Sequence, residues 1–262
     1  MNLRTAVILC GGKGTRLGAL SKKIPKTLVK VQNKEILWFI INILKMNNFN
    51  HFILPIGFKG DKIKKFIEKN FKNDKHIEIL NTGLNSSIAS RIFKVKRYIK
   101  SDSFLLLNGD AIFNFDIDKI YKHHIKKKIK MTFISFNLQA DFGTISIKDR
   151  KVLGFQRNFN FSYVGDDNKK KLKSYVYSGI SFMNKKLLSN NFKSYKNFEK
   201  ELYPSIIKNH KCDVKSPDGF FTSIDNTKDI SKVNLKNLED SKYTKVNKIK
   251  KLITIFIKKN DR

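Results

Sequence analysis

The sequence predicts an α/β protein, Rossmann-like, with a mixed but mostly parallel sheet and helices on both of its faces. Three observations carry this expectation. Apolar runs of strand length alternate with segments whose apolar residues recur at helical spacing. The first apolar run, Ala6-Val7-Ile8-Leu9, empties through Cys10 into the glycine-rich turn Gly11-Gly12-Lys13-Gly14, an arrangement suited to a ligand beyond the carboxyl end of a strand. The chain has 262 residues, 40% of them hydrophobic, enough for one sizeable domain with a real core.

Taken in order, Thr5–Cys10 reads as the first strand. Lys34–Asn47 follows as a helix, with Ile36, Leu37, Ile40, Ile41 and Leu44 on one stripe and Trp38 as a core residue. His51–Ile56 is a second strand and Lys59–Phe71 a second helix, with Ile63, Phe66 and Ile67 on one face. Ile77–Leu80 is a short strand, Ser87–Ile99 a helix, and Phe104–Leu107 a wholly apolar strand ending in Asn108-Gly109-Asp110. Asp118–Lys127 reads as a helix with Asp118 at the N-cap, and Met131–Phe136 as another strand. Beyond Gly143 come shorter strands at 144–147, 152–156 and 175–183, the last two separated by a lysine-rich loop at 158–174. A helix over Phe198–Asn209 leads to strands at 213–215 and 220–224. The main domain is expected to occupy residues 1–235. Residues 236–262 form a basic tail in which Val246, Ile249, Leu252, Ile253, Phe256 and Ile257 recur at helical intervals. Such a tail suits docking on its own domain, oligomerisation or an anionic membrane surface.

The net charge of +32 raises the question of nucleic acid. The lysines are spread through every segment beside abundant Asn, Ile and Phe, and no RNA-binding signature, zinc-knuckle spacing or arginine-rich arm accompanies them. A solvated lysine surface is the reading, and no specific nucleic-acid partner is expected. No run of about eighteen apolar residues is present, so no transmembrane segment is expected. There is no signal-peptide pattern, and the two cysteines, Cys10 and Cys212, make neither a disulfide framework nor a metal spacing. A cytoplasmic homo-oligomer is expected.

The chemistry concentrates in Gly11-Gly12-Lys13-Gly14-Thr15-Arg16-Leu17 with Pro25-Lys26 behind it. Backbone N–H groups exposed in such a turn converge on anionic oxygens, and Arg16 adds a planar, permanently charged fork. The spacing is not that of a Walker A loop, because Lys13 is followed by Gly14. Nor is it a dinucleotide fingerprint, whose third glycine position is Leu17 here. Asp110 closes the most apolar strand, and Asp225 follows another short apolar strand. Two carboxylates beside phosphate oxygens suit Mg²⁺, a hard cation. Asp116 and Asp118 read as turn and cap residues, His123-His124 as surface, and Cys10 as a small residue beside the loop.

With these motifs in this order, residues 1 to about 235 resemble the sugar-1-phosphate nucleotidylyltransferases. Ile36-Leu37-Trp38, Ile56-Gly57-Phe58-Lys59-Gly60 with Ile63-Lys64, Thr82-Gly83, and Arg91-Ile92 with Lys94-Val95 and Tyr98-Ile99 look like the glucose-1-phosphate cytidylyltransferases. Leu107-Asn108-Gly109-Asp110 and Phe198-Glu199-Lys200-Glu201-Leu202-Tyr203-Pro204 look more like the heptose-1-phosphate guanylyltransferases. The resemblance implies the nucleotide-diphospho-sugar transferase fold and transfer of a nucleoside monophosphate from a nucleoside triphosphate, CTP favoured, to a sugar 1-phosphate. The product would serve surface polysaccharide or lipopolysaccharide synthesis.

It further implies Arg16 and Lys26 as catalytic cations. Gly11, Gly12, Gly14, Thr15, Gly83, Ala89 and Ser90 would bind nucleotide, Arg157, Tyr177, Gly179 and Glu199 the sugar phosphate, and Asp110 and Asp225 Mg²⁺. Three departures stand out. Gln156-Arg157 replaces the usual Glu-Lys, Tyr177-Ser178-Gly179 the usual Asn-x-Gly, and Ala89-Ser90 a Gly-Gly turn near the base. Other enzymes stay open: a guanylyl-, uridylyl- or thymidylyltransferase on a heptose or other sugar 1-phosphate, or a cytidylyltransferase on a non-sugar phosphate. So does a non-catalytic regulatory subunit on the same fold.

Overall fold

A computed structural model describes residues 3–31, 33–136, 144–148, 151–156, 176–188, 195, 197–226, 229–230 and 233. Its elements, in order, are β1 (Thr5–Leu9), α1 (Ala19–Lys23), β2 (Lys30–Val31), β3 (Lys34–Glu35), α2 (Ile36–Met46), β4 (His51–Ile56), α3 (Gly60–Phe71) and β5 (Ile77–Asn81). There follow α4 (Ile88–Val95), β6 (Ser103–Asn108), β7 (Ala111–Asn114), α5 (Ile117–Lys126), β8 (Met131–Phe136), β9 (Thr144–Lys148) and β10 (Lys151–Gln156). The last are β11 (Val176–Asn184), α6 (Tyr203–Asn209), β12 (Cys212–Lys215) and β13 (Phe220–Ser223).

Seven strands make the main sheet in the order β12-β8-β11-β6-β1-β4-β5. All neighbours run parallel except β11, which is antiparallel to both β6 and β8. The expected mixed, mostly parallel α/β sheet is what forms. Because side chains alternate across a strand, Ala6 and Ile8 of β1 enter one buried layer while Val7 enters the other. The first layer packs α2, α3 and α5, and the second α4 and α6. A sheet covered on both faces explains why its central strands read as unbroken apolar runs. Trp38 is core as expected, 3% exposed.

Several expectations are corrected. The helix read from Lys34 starts at Ile36, because Lys34–Glu35 pair with Lys30–Val31 as a small hairpin. The segment read as a helix to Ile99 ends at Val95 and continues as one tight turn, Lys96–Tyr98. The residues read as one helix from Phe198 form a wide turn, Phe198–Leu202, that feeds α6, with Pro204 in its first turn. The N-cap of α5 is Asp116, whose side chain accepts from the Lys119 N–H. Asp118 lies inside the helix, paired with Arg4 and with Lys122 at 2.8 Å. Burial opposes its charge, but bonds from Lys122 and Arg4 win and hold its carboxyl at about 2.

His124 is buried rather than on the surface. Its ring nitrogens sit 2.8 Å from Thr132 Oγ1 and 3.1 Å from Ser103 Oγ, tying α5 to β8 and β6. His123 instead meets Asp213 of β12 at 2.9 Å. The strand β7 is not expected from the sequence. The basic tail, the loop at 158–174 and the proposed boundary near 235 lie outside the described residues. Among the described residues no helix is long and apolar enough to cross a membrane.

Candidate active site

The site lies beyond the carboxyl ends of β1, β4, β5 and β6, where an open α/β sheet leaves backbone groups free for a ligand. β1 runs into the glycine loop, which is held on both sides. Gly11 O accepts from Phe58 N at 3.3 Å and from Arg91 Nη2 at 3.0 Å. A Cβ on residue 11 would sit 2.1 Å from Arg91 Nη1, so glycine is required there by contact. Gly14 is required by conformation, with φ 62°, and lies against the Lys26 side chain. After Gly14 come the single turn Thr15–Leu17 and the short α1. The carboxyl end of α1 is anchored by lysines from α3 and its approach. Lys59 Nζ donates to the carbonyls of Ser21 and Lys22, and Lys62 Nζ to that of Lys23 at 2.7 Å.

A cavity of about 550 Å³ opens over this loop, lined by residues 9–14, Lys26, Thr27, the segment 84–88, Arg91 and 108–110. Lys26 sits on its floor. Its Nζ donates to Asp110 Oδ2 at 2.7 Å and to Asp225 Oδ1 at 2.9 Å. Burial works against the ammonium, yet the two carboxylates outweigh it, so Lys26 is held above its ordinary value. The carboxylates keep access to solvent, with side chains 25% and 39% exposed. The unforeseen strand β7 brings them together. It pairs antiparallel with β13, Ala111 opposite Ser223, and Ile224 N donates to Asp110 O at 2.8 Å. Two aspartates more than a hundred residues apart thus become neighbours around one cation.

Arg91, only 5% exposed, is a residue of the site that the sequence does not reveal. The sequence shows it only as part of a likeness, and in the structure it ties together the ends of three strands. Nη1 donates to Thr82 Oγ1 at 2.7 Å and to Ile56 O at 3.3 Å, and Nη2 to Gly11 O and to Leu84 O at 3.1 Å. Burial lowers its pKa from the usual arginine value, and the guanidinium remains a cation. Ala89 and Ser90, which the likeness casts as a turn near the base, are helical, as the reading of 87–99 expects. Ser87 caps α4 by accepting from Ser90 N at 3.2 Å, and Ala89 is buried in the core. The cavity wall there is Ser86, Ser87 and Ile88. Gly83, with its N–H on Asn81 Oδ1, comes just before this lining, which begins at Leu84. Thr15 lies on the exposed edge of the loop.

On the far side of Asn108, Gly179 of β11 packs against the Asn108 side chain. Tyr177 is engaged within the protein. Its hydroxyl is 2.9 Å from that of Tyr203 and 3.3 Å from Ser181 Oγ, and its ring meets Phe133 and Tyr203 edge-on. Burial pushes the Tyr177 phenol up to about 12, and the charge of nearby Glu199 adds to this. Glu199 itself is exposed on the turn Phe198–Leu202. Arg157 and the side chain of Arg16 lie outside the described residues. Cys10 is fully buried, and burial pushes its thiol up to about 12. That suits packing rather than nucleophilic chemistry. Among the described residues no group of three or more His, Cys, Asp or Glu is placed to hold a metal; Asp110 and Asp225 converge as a pair.

A glycine loop at the end of β1, a cation-bridged aspartate pair and an open α/β sheet define a nucleotide-processing enzyme. The chain belongs to the nucleotidyl transferase family, whose profile matches residues 5–226. It is 30% identical over 250 residues to a protein of Bacillus subtilis (strain 168) described as "probable glucose-1-phosphate cytidylyltransferase", covering 87% of this chain and 94% of the relative. It is 29% identical to a D-glycero-alpha-D-manno-heptose 1-phosphate guanylyltransferase of Campylobacter jejuni, covering 56% of this chain and 65% of the relative. Among solved structures it is similar in fold to HddC from Yersinia pseudotuberculosis, with a TM-score of 0.65 at 20% identity, covering 88% and 97% of the two chains. The resemblance to sugar-1-phosphate nucleotidylyltransferases read from the sequence is borne out, and the protein is a nucleotidyltransferase.

Proposed function

We propose that this enzyme transfers the nucleoside monophosphate of CTP to a sugar 1-phosphate, releasing pyrophosphate and forming a nucleotide sugar for surface polysaccharide or lipopolysaccharide. The observation that carries the reading is the Lys26 ammonium, bonded to both Asp110 and Asp225 on the floor of the glycine-loop cavity. The first relative's name supports cytidine and glucose, and the second's supports guanosine and a heptose as the alternative pair.

The residues fit a divalent cation: two hard oxygen donors already share one positive charge, and they face solvent. Asp110 and Asp225 would hold Mg²⁺, which when bound supplies charge neutralisation across phosphate oxygens. In the reaction an ionised oxygen of the sugar phosphate attacks the α-phosphorus. The bond from that phosphorus to the bridging oxygen breaks, and pyrophosphate leaves. No general base is needed, because the attacking oxygen carries no proton, and positioning and charge dominate. Backbone amides of Gly11, Gly12 and Gly14, with Thr15, cradle the phosphates. Arg16 offsets charge on the departing pyrophosphate. Lys26, a mobile point charge, leaves the carboxylates for the α-phosphate. The wall that follows Gly83 and is backed by Ala89 and Ser90 bounds the nucleotide. Arg157, Gly179 and Glu199 serve the sugar phosphate, with Tyr177 shaping that side. The enzyme acts in the cytoplasm as a homo-oligomer, and residues 236–262 form an appendage to the 1–235 domain.

Pyrophosphate release measured for each nucleoside triphosphate against a panel of sugar 1-phosphates, with and without Mg²⁺, tests this. Turnover with CTP, lost without metal and in Asp110→Ala, is expected. Metal-independent release, or an unaffected Asp110→Ala, would sink the mechanism. Turnover with GTP and a heptose phosphate alone would move the base and sugar to the alternative.

A further inference from the structure

Asp225 is placed by a second acid that the mechanism does not use. Asp229 Oδ2 accepts the backbone N–H of Asp225 and that of Asn226, each at 2.9 Å. In return Asp229 N donates to Asn226 Oδ1 and to Asn226 O, each at 3.2 Å. This reciprocal pairing between Asn226 and Asp229, three residues on, has the hydrogen-bond pattern of a capping box. It differs from an ordinary one in that the same carboxylate oxygen also holds the N–H of the residue before Asn226, and that residue is Asp225. Ser223 completes the arrangement by donating to Asp225 Oδ2 at 2.6 Å, leaving Oδ1 to accept from Lys26. The main chain of Asp225 is held from behind, and its carboxylate is turned by Ser223.

We infer that Asp229 is a positioning residue for the metal-binding carboxylate of Asp225. It acts through two backbone amides and contributes no ligand. The inference rests on the reading of Asp225 given above. The physical reason is geometric. A carboxylate on a chain segment free to pivot spends part of its time away from its partner, and an outer residue that stops the pivot strengthens cation binding without touching the cation. An acid this close could instead serve through its own charge. The two roles part on substitution, because an asparagine amide oxygen accepts the same N–H bonds without the charge.

The test uses the full chain and Mn²⁺ as the probe. Its affinity in the presence of CTP is followed by the resonance signal of free Mn²⁺, alongside amide hydrogen exchange at Asp225 and Asn226 without metal. Asp229→Ala is expected to speed exchange at both amides and weaken Mn²⁺ roughly ten- to a hundredfold, while Asp229→Asn keeps most of the protection and affinity. Asp225→Ala is the control for the underlying reading. If it leaves Mn²⁺ binding intact, Asp225 is no ligand and the inference falls with it. If Asp225→Ala abolishes binding but Asp229→Ala changes neither exchange nor affinity, the positioning role alone is wrong. Equal losses in Asp229→Asn and Asp229→Ala, with amide protection unchanged, would make Asp229 a charge donor instead.

Discussion

The regions on the two sides of Asn108 are put together differently. On the phosphate side, cations and backbone groups from distant parts of the chain hold one another: Lys26 with Asp110 and Asp225, and Arg91 with carbonyls at the ends of β1 and β4. Beyond Asn108, on the side of β11, the polar groups of Tyr177, Tyr203 and Ser181 bond to each other above an aromatic floor. The first side presents charged groups and loop backbone to the cavity. The second has its hydrogen-bonding capacity turned inward, so its residue types say less about the ligand. Substitutions on the two sides should therefore fail in different ways.

The largest effect is expected for Lys26→Met, which removes the single charge shared by two carboxylates, the same charge that the proposed reaction offers to the α-phosphate. A fall of roughly a hundred- to a thousandfold in kcat/KM for pyrophosphate release is expected, the scale of losing one preorganised charge-stabilising donor. The two acids are then left facing each other, so added Mg²⁺ should raise the variant's Tm by more than the wild type's. A variant melting curve indifferent to Mg²⁺ would break the claim that this pair is a cation site. Next is Gly11→Ala, a steric test of the same side. The new Cβ lands 2.1 Å from a buried guanidinium atom, so Arg91 or the loop must shift. A loss of about 3 kcal/mol in urea unfolding is expected, the scale of overpacking a tight interior.

A third experiment addresses the buried histidine that ties together the strands flanking β11. His124 bonds to Ser103 of β6 and Thr132 of β8, the strands flanking β11. Burial, with a smaller push from His123, lowers its pKa from 6.5 to about 4. A depressed folded-state value means that stability is complete above about pH 6.5 and is lost as the pH falls from there toward 4. The loss is at most about 3 kcal/mol. In His124→Gln that slope should flatten while stability at pH 7 drops. If the wild-type stability were level across this window, the ring would not be held neutral by its surroundings.

How far the sequence could be read follows the same division. β1, β4, β6 and β8 were legible because a sheet covered on both faces writes its strands as apolar runs, and the glycine loop because three glycines in four positions are conspicuous in themselves, although only Gly14 is required by its own backbone conformation and Gly11 answers to the distant Arg91. Asp110 and Asp225 were legible as acids after strands, but their meeting was not. It depends on β7, four residues whose pairing with β13 is non-local and leaves no periodic trace. Arg91 sits in a helix where any long polar residue fits the pattern, and only the convergence of three strand ends turns it inward. His124 looked exposed in a lysine-rich helix because the face of a helix is decided by what packs on it. Ala89-Ser90 looked like a turn by resemblance, while locally Ser87 makes a good cap and starts a helix before them.

The smallest expected effect lies on the inward-turned side. Tyr177 stands where related sequences are expected to carry an amide for the sugar, yet its hydroxyl is bonded to Tyr203 and Ser181. Tyr177→Phe removes those bonds and leaves the ring in place against Phe133 and Tyr203. It also leaves the Tyr203 hydroxyl short of one partner. Such a change should cost about 1 kcal/mol in stability. The KM for the sugar phosphate should move less than about threefold, since no bond to the ligand is lost and threefold is well under 1 kcal/mol. Should the KM instead rise tenfold or more with stability unchanged, the hydroxyl exchanges its protein partners for the sugar during catalysis. The contrast between the two sides would then hold only until substrate binds, and the replacement of an amide by Tyr177 would become a determinant of which sugar is accepted.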